Sequence, residues 1–382
     1  MEEEYFLNSN DLALYFHIPF CKSKCLYCDY PSTTNISMQK EYFNCLKKEI
    51  LLRKNFLLKN SIKTVYFGGG TPNYVKSFYI KEVMDFLKDN FFGTFEEITM
   101  EMNPGILNEK DLEVYKSAGI NRISLGVQSV DKNILKLVNR PYYPETISDN
   151  IYLLRNFFDN ISFDFIMGLP EDNLKVVKSN LNFIKLHRPE HISYYVYDSD
   201  HDSLLEKMKQ KFLMPEDDFF DEGLDFIYSK LNEFDYKRYE ISSWAIFDKE
   251  SYHNKFYWRN LNYIGFGISA GGYYNRNRYV NEKNISRYMN KLNSDELPEE
   301  YSVKNSFFDD FKETLFMGLR LFEGIDLREL KKRYECIDVD KYIDYLIGNF
   351  SAFFDKNEKL KLNENGFNHS RYVFLKIVEM EE

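Results

Sequence analysis

Apolar and polar positions follow two different rhythms through the N-terminal half of this chain. Short runs rich in β-branched and aromatic residues at 12–17, 64–67, 98–101, 122–126, 161–167 and 191–197 read as strands. Between them, 38–58, 78–90, 108–118, 144–158 and 173–186 space apolar residues by three and four, as at Val83, Phe86 and Leu87. These segments read as amphipathic helices. Such alternation predicts right-handed βαβ units on a parallel sheet. Six units predict an α/β fold, a partial, open (β/α)6 TIM-like barrel rather than the closed eightfold one.

The pattern changes further on. Residues 1–235 form the expected barrel core. In 236–292, strand-like 239–241 and the Gly-rich 265–272 predict a β extension that covers the barrel mouth. Polar 293–306, with Asp295, Glu296, Pro298 and Glu299, reads as a linker. Residues 307–382 predict a small, mainly helical C-terminal domain. Its helices fall at 307–322, with Phe311, Leu315, Leu319 and Phe322 on one side, and at 327–334 and 342–350; Gly324 supplies a stop. Segments 360–362 and 373–377 suggest a closing hairpin. The favoured reading of this domain is packing or interaction without chemistry.

Chemistry in β/α barrels gathers at the carboxyl ends of the strands, and every predicted strand here ends in something unusual. The first leads into Cys21, Cys25 and Cys28, and the second into Gly68-Gly69-Gly70-Thr71-Pro72. The third ends in Glu101-Met-Asn-Pro104, and the fourth in Gly126-Val-Gln128-Ser129. The fifth carries Asp164 and Gly168-Leu-Pro170, and the sixth runs out through Tyr195, Val196, Tyr197 and Asp198. Cys-x3-Cys-x2-Cys without a nearby fourth cysteine offers three thiolates to a [4Fe–4S] cluster that takes four ligands. One iron is then open to a small molecule such as S-adenosylmethionine (SAM). A Cys3His zinc site with His17 is the rival reading. Five cysteines are too few and odd in number for a disulfide framework, and Cys45 and Cys336 read as structural. Glycines at 68–70 admit close backbone approach to a ligand, or simply a tight turn. Glu101 and Asp164, inside apolar strands, need partners that a cationic ligand would supply. Arg140 is a fixed cation for the same site or a surface ion-pair residue.

With Leu14-Tyr15-Phe-His17-Ile-Pro-Phe20 before the cysteines, these motifs closely resemble the coproporphyrinogen-oxidase-like branch of the radical-SAM superfamily. The resemblance covers nearly the whole chain. It implies SAM contacts at Tyr15, Tyr27, Gly69, Gly70, Thr71, Glu101, Gln128, Arg140 and Asp164. Within the branch, three features resemble the HemW-like heme chaperones rather than the oxygen-independent coproporphyrinogen III oxidases. Tyr30 stands where the oxidases carry a further cysteine, and only twenty residues precede Cys21. Tyr239-Glu-Ile-Ser is followed by His253-Asn-x-x-Tyr257-Trp258.

His253 and Tyr257 are candidate heme ligands, since imidazole and phenolate both serve as axial ligands. Phe256, Tyr257 and Trp258 offer an apolar platform for a porphyrin; an aromatic strand with a turn-capping histidine is the alternative. Relatives often carry a histidine where Gly271 follows Ala270, so any role for that histidine is absent here or taken elsewhere. The resemblance implies a chaperone that delivers heme to apo-hemoproteins, with a homodimer and peripheral membrane contact as further expectations. No catalytic residue is assigned. Decarboxylation of coproporphyrinogen III, or modification of a related tetrapyrrole, is the enzymatic alternative.

Bulk composition narrows the class only slightly. Hydrophobic residues make up 44% and charged residues 29%, an ordinary globular balance. A net charge of −10 argues against nucleic-acid backbones as partners. The acidic start, Met1-Glu-Glu-Glu-Tyr5, resembles neither a secretory nor a mitochondrial leader. With no run of membrane-spanning length, a reduced, cytoplasmic location is expected.

Overall fold

The computed structural model describes residues 10–140, 142–197 and 203–381. Six parallel strands run side by side in chain order: β1 (Asp11–Ile18), β2 (Ser61–Gly69), β3 (Gly93–Met102), β4 (Arg122–Gln128), β5 (Ile161–Met167) and β6 (His191–Val196). Helices Gln39–Leu52, Ser77–Asn90, Glu109–Ala118, Pro144–Arg155 and Leu174–His187 connect them, as the two rhythms predict. Strands β2 and β3 begin before their apolar runs, where Lys63 pairs with Glu96 at 2.8 Å across the two strands. The expected 38–58 helix breaks at Arg53. Its buried guanidinium bonds to Glu49 at 3.1 Å and Glu299 at 2.9 Å, and a short Lys54–Leu57 turn follows.

The period of two along each strand separates two environments. One phase, including Leu14, Phe16, Val65, Phe67, Met100 and Phe163, enters the main hydrophobic core beneath the helices. The other phase carries buried polar groups, including His17, Thr64, Thr99, Ser124, Ser162 and His191. A polar lumen therefore lies against an apolar outer layer.

The sheet continues past both ends of this set to twelve strands. Beyond β6 come β8 (Ser243–Ala245) and β7 (Lys237–Glu240). Beyond β1 come β9 (Tyr263–Phe266), β10 (Gly271–Tyr274), β11 (Asn277–Asn281) and β12 (Glu299–Lys304). The 236–292 extension thus flanks the barrel on both edges. The segment expected as a linker contains β12, whose mostly exposed polar side chains suit an edge strand held by backbone pairing to β11.

A second hydrophobic cluster occupies the C-terminal region, among helices Phe307–Gly318, Val339–Phe350 and Ser370–Val378. The expected hairpin is corrected here. Lys359–Leu362 pairs with Phe354–Lys356, while 373–377 is helical, because Val373 and Ile377 are spaced to bury one helix face. Among the described residues, no helix is long and apolar enough to cross a membrane.

Candidate functional site

The cysteine loop leaves β1 and is tied down at several points. Cys21 N–H donates to Thr33 O at 3.0 Å, and Leu26 N–H to Val138 O at 3.0 Å. Thr71 Oγ1 donates to Cys21 Sγ at 3.5 Å and Arg140 Nη1 to Cys25 Sγ at 3.7 Å. Burial pushes the Cys28 thiol up to about 12, so loading a metal there must displace a proton. The zinc alternative would need His17, whose Nε2–H instead donates to Pro31 O at 2.9 Å while Nδ1 faces the Tyr15 hydroxyl at 3.2 Å. Among the described residues, no three His, Cys, Asp or Glu side chains converge to hold one metal ion.

A cavity of about 580 Å³ opens beside this loop, and all three cysteines line it. So do Tyr27, Gly69, Gly70, Thr71, Glu101, Gln128, Arg140 and Asp164, every candidate SAM contact except Tyr15. The strand ends bring them together from separate βα turns. Gly69 has φ +102°, and a Cβ there would strike the His17 ring at 2.4 Å, so the residue must be glycine. Its N–H donates to Glu101 Oε2 at 3.0 Å, and Tyr66 donates to Oε1 at 3.0 Å. Asp164 accepts from Ser124 Oγ at 2.6 Å. Neither carboxylate has a salt bridge among the described residues. Burial, then the charge of Asp164, raises Glu101 to about 7; burial also raises Asp164.

Two half-buried carboxylates without a salt bridge among the described residues suit the sulfonium, ammonium and ribose hydroxyls of SAM. Arg140 fits the same site. It bonds to Asn103 Oδ1 and Gly126 O at 2.7 Å each, while its buried Nε has no partner.

Tyr15 lines a second cavity of about 530 Å³ with His253 and Tyr257. Tyr30, Tyr66, Gly69, Glu101 and Tyr195 border both spaces. His253 sits on a helix, Tyr252–Trp258, rather than a strand. Ser251 Oγ caps it by accepting from Asn254 N–H at 3.3 Å. Glu97, reaching from β3, accepts from the N–H groups of Tyr252 at 2.9 Å and His253 at 3.0 Å. Both imidazole nitrogens are engaged, with Thr64 Oγ1 at 2.7 Å and Tyr257 OH at 2.8 Å. Burial lowers the ring to about 3, keeping it neutral. Tyr257 and Trp258 line the cavity, whereas Phe256 is fully buried away from it.

Gly271 also borders the second cavity, with nothing closer to its Cβ direction than Tyr279 O at 3.6 Å. Tyr197 lines the first cavity; Asp198 lies outside the described residues. Sequence reasoning missed Glu97 and Arg320, which bear on the second cavity, and gave Glu240 no role of its own.

This combination of a parallel barrel sheet, a three-cysteine loop and strand-end carboxylates defines a radical-SAM protein. Residues 15–184 match the Radical SAM superfamily. The chain is similar to "Heme chaperone HemW" of Bacillus subtilis (strain 168), 30% identical over 331 residues, covering 84% of this chain and 86% of that protein. The protein of that name from Buchnera aphidicola subsp. Schizaphis graminum is 35% identical over 290 residues, covering 73% and 76%. The chain belongs to the HemW family, within the coproporphyrinogen-oxidase-like branch. Coproporphyrinogen III oxidase (HemN) from Escherichia coli superposes with a TM-score of 0.84 over 96% of this chain and 90% of that one. At 21% identity this likeness establishes the fold alone.

Proposed function

We propose that this protein binds a [4Fe–4S] cluster, SAM and heme and passes the heme to client apo-hemoproteins in the cytoplasm. The carrying observation is the pair of adjoining cavities that share Tyr30, Tyr66 and Glu101. One has the donor set for cluster and SAM; the other is broad, tyrosine-rich and borders the His253 helix. The relatives named heme chaperones support heme as cargo.

When bound, the cluster and SAM supply a redox-active iron and a reactive sulfonium, with Cys21, Cys25 and Cys28 as the thiolate ligands. Around them, Glu101 and Asp164 offset the positive charge and orient hydroxyl or ammonium groups. Arg140 holds the Cys25 side of the loop and Thr71 the Cys21 side, fixing the loop against the strand ends. Tyr15 and Tyr66, stacked with centroids 6.0 Å apart, form the wall between cofactor and cargo spaces. His253 or Tyr257 would ligate heme iron only after their mutual hydrogen bond opens, which makes ligation reversible and suits a carrier.

The division at 235, 292 and 306 and a homodimeric state belong to the same proposal. Mixing heme-loaded protein with an apo-hemoprotein tests it: the client's own absorption spectrum should develop, faster than from free heme. Unchanged transfer kinetics in the presence of the protein would overturn the carrier role.

A further inference from the structure

Three residues that line the second cavity each carry a buried polar atom without a hydrogen-bond partner: Glu240 Oε2, Trp258 Nε1 and Arg320 Nε. One such atom in a folded protein calls for an explanation, and three around one space point to a ligand. They arrive from distant parts of the chain. Glu240 ends β7, Trp258 ends the His253 helix, and Arg320 follows the Phe307–Gly318 helix of the C-terminal region. A backbone bridge between Glu240 and Leu321 locks the first against the third. The Arg320 guanidinium lies 4.3 Å from the Trp258 ring centroid, which holds both N–H edges in one neighbourhood. The Arg320 side chain forms no ion pair or hydrogen bond among the described residues, although Glu240 lies near enough to influence its charge.

Two N–H donors, one of them on a permanent cation, recognise a carboxylate. Glu240 competes for the same cation and limits the grip. Resting on the heme-carrier reading, we propose that Arg320 and Trp258 bind a propionate carboxylate of the tetrapyrrole, with Glu240 as the competing anion that favours release. The C-terminal region then contributes directly to the cargo site through Arg320.

The test is a Soret titration of the full chain with hemin and with hemin dimethyl ester, whose propionates are capped. The native protein should prefer hemin. Arg320→Gln should weaken hemin roughly tenfold to hundredfold and remove the preference. Glu240→Gln should strengthen hemin binding severalfold, and neither change should alter binding of the ester. Opposite signs for the two variants separate recognition from a packing defect, which would weaken both. Should Arg320→Gln fail to fold by circular dichroism, Glu240→Gln and Trp258→Phe carry the test, and an unchanged preference in both overturns the proposal. Equal binding of hemin and ester by the native protein overturns this subsite but not the carrier reading. Binding of neither overturns both. A loss of SAM affinity in Arg320→Gln with hemin affinity intact would assign the carboxylate to SAM and overturn the proposal as well.

Discussion

Glu101 and Asp164 line one cavity and neither has a salt bridge among the described residues, which makes the ligand-free site unfavourable to two negative charges. Glu101, raised to about 7 from an ordinary 4.5, therefore keeps in the folded state a proton that the unfolded chain releases. Its contribution to stability is complete below pH 4.5 and is lost as pH rises through 7. Glu101→Gln should remove that loss and stabilise the ligand-free protein by about 1–3 kcal/mol at pH 8, read by thermal or urea melts. The same variant should bind SAM at least about tenfold more weakly, since it removes a partner for the cation. SAM affinity of the native protein should rise with pH through about 7 and then level off. A pH-independent affinity would contradict the role given to Glu101.

At the scale of elements, the helix carrying His253 depends on a side chain from another strand. Glu97 accepts from two N–H groups of its first turn, at 2.9 and 3.0 Å. Glu97→Ala should lower stability by about 2–3 kcal/mol, measured from the urea midpoint, because it leaves buried amides unpaired. It should also weaken hemin binding by displacing His253; unchanged hemin affinity would show that this helix does not position the cargo.

The dependence on Glu97 explains why a strand seemed plausible in the sequence. The aromatic run 256–258 has strand-like composition, and although Ser251 caps the helix locally, the Glu97 carboxylate that holds its first amides lies far away in the chain. The six core strands were legible because their outward phase is apolar and their ends carry clustered motifs. Strand β12 was not, since an exposed edge strand needs no apolar phase. The helix Asp217–Glu233 was also missed: its fully buried face amounts to Gly223, Ile227 and Leu231, with acidic residues interspersed among the apolar ones. The cluster cysteines and eight of the nine candidate SAM residues could be read locally because most sit in motifs at or just after strand ends, and all line one cavity. Arg320 carries no local signature, and only tertiary packing brings it to Glu240 and Trp258.

For the whole molecule, the C-terminal region is joined to the sheet through Asp310. This buried carboxylate accepts from Tyr334 at 2.6 Å and pairs with Arg333 at 3.2 Å, and it bonds Tyr273 of β10. Asp310→Ala should cost about 3–5 kcal/mol by stranding a partly buried cation. If the joint also positions Arg320, limited proteolysis and hemin affinity should change together; a stable, normally binding variant would uncouple the C-terminal region from the cargo site.

The central claim is that the tetrapyrrole is cargo. The most direct test is anaerobic cluster reconstitution followed by hemin titration, with SAM cleavage and coproporphyrinogen III turnover followed on the same sample. Stoichiometric hemin binding without decarboxylation is the predicted result. Decarboxylation with release of 5′-deoxyadenosine would make the protein an enzyme of the oxidase type and contradict the claim.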